Sequence, residues 1–311
     1  MGRRISPGAK LASKFNGPNV RYPALQLGLA LAVSGTIGAF VAEAGVSPMT
    51  AVFWRCAFGA VFLALWSLAF GYLPDRTITV RNLVYSAIAG GFLALCWVCL
   101  FAGFQLTSIA TATIVFQSYP FMLVLAGIVF LREKASADQF AWLVLAFVGV
   151  PLASGAVGLP VFDGGGWMLG VALTLAAAAS YVVTTMAVRA IRSQRPEVTM
   201  LFQAIIGAAL VSIFADFHQS ISLPSWGWLI GMGIIHSGLV MVAMYATYPL
   251  LPTPVIAIMN FIYPAVAILL DWLVYGHPLT VLQFSGVAII IVATLGMNLK
   301  WHIFTKGANT N

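Results

Sequence analysis

Apolar residues dominate this chain in long blocks, and the polar residues gather in the gaps between them. Ten blocks run at about 22–42, 48–70, 80–104, 107–131, 138–156, 166–188, 197–215, 224–248, 252–274 and 279–299. Each is close to or above the roughly 20 residues a helix needs to cross a bilayer. The gaps are too short to hold a soluble domain. In a bilayer only helices and closed barrels satisfy their own backbone, and blocks of this length read as helices. The pattern predicts an all-α polytopic membrane protein with ten transmembrane helices.

The blocks also repeat. Tyr119-Pro120 and Tyr263-Pro264 lie 144 residues apart, and the same shift carries Gln139-Phe140 onto Gln283-Phe284 and Ala102 onto Ala246. It also carries Phe101 and Phe104 onto Tyr245 and Tyr248. Upstream, Pro48 and Arg55 are spaced like Pro196 and Gln203, at an offset of 148. Five blocks fall on each side of Asp163-Gly164-Gly165-Gly166. With an odd number per half, the second copy enters the membrane from the opposite face. Inverted repeats with interrupted helices at matching positions point to a secondary transporter whose site lies at the repeat interface. The expected organisation is a basic cytoplasmic tail (1–21), a first five-helix repeat (22–156), a second (166–300) and a cytoplasmic tail (301–311). Pro120 and Pro264 each remove a backbone donor inside a span, which makes them the expected hinges.

Composition agrees with a membrane protein and then orients it. The chain is 61% hydrophobic and 7% charged, where soluble proteins carry roughly 25% charged residues. Of fifteen Lys and Arg, Arg55 alone lies inside a span away from its ends. Counting spans alternately from a cytoplasmic N-terminus puts Arg3, Arg4, Lys10, Lys14 and Arg21 inside, with Arg76, Arg81, Arg132 and Lys134. Arg189, Arg192, Arg195, Lys300 and Lys306 follow them. The outer edges receive Glu43, Asp163, Asp216 and Asp271. This is the positive-inside distribution, and it implies both termini in the cytoplasm and residence in the plasma (inner) membrane. The net charge of +7 reports this topology and contact with anionic lipid rather than nucleic acid. Val41-Ala42-Glu43-Ala44 resembles a signal-peptide cleavage site, but cleavage would break both the repeat and the charge pattern, so the first helix is read as retained. Cys96 and Cys99 have CxxC spacing, yet with Cys56 they sit in apolar spans and read as inert thiols.

Two copies of a five-helix unit, each with a Pro-initiated second helix and a Pro-centred fourth, resemble the drug/metabolite transporter superfamily. TSIATATIVFQSYPF followed by LREKASADQFAWLVLAFVGV, within 107–150, is particularly similar to its EamA repeat. Leu131-Arg132-Glu133 is answered in the second copy by Tyr275-Gly276-His277, and Gln203 departs from the arginine that Arg55 matches. The resemblance extends to the aromatic amino-acid exporters of that superfamily. It implies a ten-helix basket whose central cavity is lined by the third, fourth, eighth and ninth helices, with contributions from the first and sixth.

Within that frame the expected substrate-binding residues are Trp97, Phe116, Gln117, Tyr119, Tyr181, His236, Tyr245, Asn260 and Tyr263. Trp97, Phe101 and Phe104 share a face of the third helix, with Met241, Tyr245 and Tyr248 as repeat mates. The amides of Gln117 and Asn260 can meet the ends of a zwitterion, or can serve as polar glue between helices. Tyr181 and Thr184 are expected to cap the site from the sixth helix. Arg55 lies about two turns from a span end, so snorkelling or bonding to helix-end carbonyls is its expected role. His236 is near mid-span, where a neutral, hydrogen-bonded imidazole competes with a proton-coupling role. His218, His236, His277 and His302 lack metal-ligand spacing, so neither metal nor cofactor is expected, and no Gly-x-Ser-x-Gly elbow suggests an enzyme. The sequence thus reads as a monomeric carrier. It moves a small metabolite, an amino acid first of all, out of the cytoplasm by alternating access. Efflux of another small metabolite or drug-like solute is the second reading.

Overall fold

A computed structural model describes residues 21–73, 75, 78–107, 109–153, 166–191, 194–276 and 280–304. The terminal tails beyond these limits, the loop containing Asp163, and Arg76, Arg192 and His277 lie outside the described residues, as do the side chains of Phe104 and Asp271. In chain order the helices are α1 (Pro23–Ser34), α2 (Ile37–Ala44), α3 (Pro48–Ala69), α4 (Val80–Leu106) and α5 (Ile109–Phe116). They continue as α6 (Tyr119–Leu131), α7 (Ala137–Ala153), α8 (Trp167–Ala190), α9 (Pro196–Val211) and α10 (Leu223–Gly231). A π-helical segment, Met232–Val240, leads to α11 (Met241–Thr247), and α12 (Thr253–Met259), α13 (Ile262–Tyr275) and α14 (Val281–Asn298) complete the chain.

Eight helical stretches among the described residues are long and apolar enough to cross a membrane. The apolar helices α7 and α9 are shorter, so eight of the ten expected spans reach full length. Helix α9 ends where Ser212 turns its hydroxyl onto the Ala209 carbonyl at 2.7 Å, a local bond that competes with helical continuation.

Three spans are broken where the sequence places Gly or Pro. α1 and α2 meet at Gly35-Thr36. α5 and α6 meet at Gln117-Ser118, and α12 and α13 at Asn260-Phe261, each just ahead of its proline. At these breaks the backbone tightens to three-residue bonds, Ser118 N to Val115 O at 3.0 Å and Phe261 N to Ile258 O at 3.1 Å. Both second segments also end alike. Arg132 adopts the left-handed conformation at φ 53°, and Gly276 does so at φ 69°. The offset between these two caps is again 144 residues.

Helix pairs are drawn together by small residues, the usual device where lipid removes the hydrophobic drive for association. A Cβ on Gly149 of α7 would meet the Gly286 carbonyl and Ile290 Cγ1 of α14, both at 2.9 Å. A Cβ on Gly170 of α8 would meet Thr107 Cγ2 at 2.6 Å, closing α8 onto the end of α4. Thr184 donates across the same pair to the Ala89 carbonyl at 3.2 Å. Gly59 of α3 lies against Ser237 of the π segment, where an added Cβ would stand 2.7 Å from the serine Cβ.

Candidate functional site

The centre of the site is Arg55, and its surroundings differ from the sequence expectation. It does not snorkel. Its guanidinium lies over the Trp97 ring, 4.3 Å from the centroid. Its Nε donates to Ser237 Oγ at 2.9 Å. Tyr181, Tyr245 and Tyr263 share its electrostatic neighbourhood. The close α3–π-segment crossing at Gly59 brings this arginine and serine together. The wider π turn also shifts the helix register at His236 and Ser237, a distortion that recurs at functional sites.

An aromatic wall stands beside the cation. Tyr119 and Tyr181 meet edge to face with centroids 5.0 Å apart. Phe116 lies 5.8 Å from Tyr119 and 6.1 Å from Tyr181. Trp97, Phe116 and Tyr181 pack on the same buried patch formed by Cys96, Cys99 and Ala177. Tyr245 donates its phenol proton to Gln203 Oε1 at 2.6 Å, and its ring lies 5.8 Å from that of Tyr248. The Tyr248 hydroxyl is in short range of Tyr181 but lacks a hydrogen bond of good geometry. Gln117 Nε2, Tyr119 Oη, Gln203 Nε2 and Tyr248 Oη are all buried with no hydrogen-bond partner. A buried donor left unmade costs about 1–3 kcal/mol, so such groups among these packed rings mark a place with the capacity to bind another molecule.

Four expected residues, Trp97, Tyr181, Tyr245 and Tyr263, therefore lie around Arg55, Phe116 and Tyr119 pack on Tyr181, and Gln117 sits buried in the α5–α6 break beside Phe116. Two others turn elsewhere. Asn260 caps α12 and gives Nδ2 to its own helix, to Ile256 O at 2.7 Å. His236 is buried behind Arg55, with Nε2 3.4 Å from Thr36 Oγ1 and its ring against Phe40. Thr184 bonds backbone carbonyls rather than capping the site. Gln203, Tyr248 and Ser237 belong to the arrangement although the sequence reading did not select them. The repeat alignment did carry a signal for Gln203, because it pairs that residue with Arg55. Phe101 packs with Cys56 and Trp97 at the margin.

At one end of the bundle the segments that follow and precede these broken helices are tied together. Arg132 in the left-handed conformation lets the Glu133 N–H return to the Gly127 carbonyl at 3.1 Å, a Schellman-type cap that aims the Glu133 side chain. The carboxylate accepts from Arg189 Nη2 at 2.8 Å and from the Thr253 backbone N–H at 2.7 Å. Arg189 also donates from Nη1 to Thr253 Oγ1. Partial burial pushes the Glu133 carboxyl upward, but the bonds from Thr253 and the Arg189 charge outweigh it and hold the group below the ordinary carboxylate value. A cleft of about 200 Å³, walled by Phe62, Trp66 and Val242 and edged by Gln26 and Glu197, contains none of the expected site residues. Among the described residues no group of three or more His, Cys, Asp or Glu is placed to hold a metal.

Known proteins agree with this architecture. A solved crystal structure superposes with a TM-score of 0.79 over 89% of this chain and 98% of its own, at 18% identity, and so shares the fold. An uncharacterised transporter of Bacillus subtilis, YxxF, is 29% identical over 271 residues, covering 86% of each chain. An uncharacterised transporter of Archaeoglobus fulgidus is 25% identical over 89% of this chain and 96% of its own. The pseudopaline exporter CntI of Pseudomonas aeruginosa is 25% identical over 88% of this chain and 96% of its own. The EamA-like transporter family model matches twice, at residues 23–155 and 168–299, and this multi-pass membrane protein belongs to the EamA-like transporter family.

Proposed function

We propose that this transporter exports small metabolites, above all neutral and aromatic amino acids, from the cytoplasm by alternating access. The observation that carries the reading is the cluster at Arg55. It offers one cation, a wall of aromatic rings reached through Tyr181, and buried polar atoms without partners among those rings, with Trp97 beneath the charge. A zwitterion with an apolar side chain supplies complements to all three features. The likeness to the aromatic amino-acid exporters supports the same substrate class, and a relative named as an exporter supports the direction.

The proposed topology has ten spans in two inverted five-helix repeats, both termini in the cytoplasm and the protein in the plasma (inner) membrane. The Glu133–Arg189–Thr253 network then lies at the cytoplasmic end, which makes it the inner gate. Pro120 and Pro264 would let one half of each broken helix swing while the other stays packed. Counterflow in proteoliposomes, using a panel of labelled amino acids at two pH values, tests the function. Uptake of aromatic or other neutral amino acids is expected. No uptake across the panel by folded protein overturns the amino-acid reading. Uptake of a different solute in the same vesicles would install the second reading, efflux of another small metabolite.

A further inference from the structure

We propose that Arg55 is the anion anchor of the central site and that the transported substrate is defined by a single carboxylate. The inference rests on reading the cluster as the substrate site, and it adds the chemical group that the site selects. Among the described residues the Arg55 guanidinium makes one hydrogen bond, from Nε to Ser237, and its terminal nitrogens have no acceptor. The ion pairs among those residues are Arg189–Glu133 and His302–Asp138, and neither includes Arg55. The groups facing it are phenols, the Trp97 ring and the Cys56 thiol. His236, on the neighbouring π segment, stands in the same electrostatic field and bears no negative charge. A half-buried cation among neutral groups lacks the partner that usually compensates its desolvation.

The unpartnered atoms point the same way. Gln203 has committed its oxygen to Tyr245, which leaves Nε2 as a pure donor. The free nitrogen of Gln117 is likewise a donor, and the Tyr119 hydroxyl, on the ring that meets Tyr181, holds a proton with no acceptor. Donors in excess, in the same aromatic cluster as a forked cation, call for acceptor oxygens. A planar carboxylate takes two parallel bonds from a guanidinium. One cation balances one negative charge, so a dianionic phosphate would leave charge uncompensated in the same enclosure. The stack on Trp97 holds the guanidinium plane, leaving its outer edge for the ligand.

Isothermal titration of the purified protein in detergent tests this with three probes: L-phenylalanine, its carboxamide and 3-phenylpropionate. The intact protein should bind both carboxylates and bind the carboxamide on the order of 10- to 100-fold more weakly, the value of a charge-assisted hydrogen bond. Arg55→Gln should erase that preference while remaining monodisperse. Arg55→Lys keeps the charge but loses the fork, so it should retain a carboxylate preference with affinity lowered about tenfold. Equal binding of phenylalanine and its carboxamide by the intact protein overturns the anchor, as does an undiminished preference in Arg55→Gln. Should Arg55→Gln fail to fold, unchanged affinity in Arg55→Lys overturns it instead. Binding of 3-phenylpropionate without phenylalanine would sink the amino-acid reading and leave the anchor standing. Amino-acid transport with no discrimination against the carboxamide would do the reverse. If neither carboxylate binds, the anchor falls.

Discussion

Glu133→Gln is the sharpest perturbation of the proposed inner gate, because it removes one charge and preserves shape. Glutamine keeps a single oxygen, so the bond from the Thr253 N–H at 2.7 Å can persist while the charged bond from Arg189 at 2.8 Å is lost. A bond to a charged group contributes about 1.5–3 kcal/mol. The side chains of Arg189 and Glu133 are 10% and 22% exposed, so solvent screening lowers this to about 1–2 kcal/mol. That corresponds to roughly a 5- to 30-fold shift in the closed-to-open ratio at this end. Spin labels at Lys134 and Pro252, both exposed, report the separation of the α6 and α12 termini. The three native cysteines are buried, so labelling at introduced cysteines is selective. The expected result is growth of a longer-distance population in Glu133→Gln, matched by Arg189→Gln and not increased further in the double variant. Acid should act in the same direction. The folded carboxyl lies below its ordinary value, so its contribution is complete above the usual carboxylate range and disappears as pH falls through and beneath that range. An unchanged distance distribution in folded Glu133→Gln, with only a lower melting temperature, would refute the gate and leave a structural ion pair.

Gln117→Leu should abolish or strongly reduce transport while changing the melting temperature by the equivalent of no more than about 1 kcal/mol, because the amide nitrogen it removes is buried without a partner; a large stability loss with normal substrate affinity would assign Gln117 to helix packing. Pro120→Ala and Pro264→Ala restore a backbone donor just after the two helix breaks and should bias the inward-to-outward equilibrium in opposite directions, read by label distances on both faces; unchanged populations with transport retained would exclude paired hinges. Gly149→Leu should destabilise the α7–α14 pair by about 3 kcal/mol, since even a Cβ there meets a backbone carbonyl at 2.9 Å, and thermal unfolding in detergent measures it.

Helix positions were largely legible because apolar block length and helix length answer to the same physical demand. The block at 48–70 became Pro48–Ala69, and the block at 224–248 became a continuous helical run, Leu223–Leu250. Interruptions were legible only where Pro causes them. The breaks before Pro120 and Pro264 follow from a missing N–H, whereas the break at Gly35-Thr36 answers to packing. A Cβ on Gly35 would stand 2.9 Å from the Tyr263 carbonyl, a neighbour more than two hundred positions away in the chain. The π turn at Met232–Val240 is of the same kind. Gly233 and Gly238 admit Phe58 and Phe62 of α3, and the backbone widens under that contact rather than from any local signal.

The site shows the same division between local and relational information. Aromatic residues at matched repeat positions can be named from the chain because ring type and spacing are visible in it. Arg55 was assigned to the interface because depth along a helix is visible and the partner face is not. What draws it into the proposed site is Ser237, 182 positions downstream, whose hydroxyl accepts from Nε. Asn260 turns to its own helix for the opposite reason. An amide one residue past a helix end finds a carbonyl on its own chain first, and Ile256 O takes it. Polar membrane residues therefore divide by whether a local acceptor lies within reach. At helix breaks this favours Asn, with its short side chain, as a cap, and leaves the longer Gln117 without a partner for its amide nitrogen. The pairing of Arg55 with Gln203 follows the same logic across the repeat. One half contributes the cation, and the other contributes a neutral amide that holds the Tyr245 phenol. Two arginines at these positions would place like charges together, so the departure of Gln203 from the repeat pattern suits a site built for one negative group.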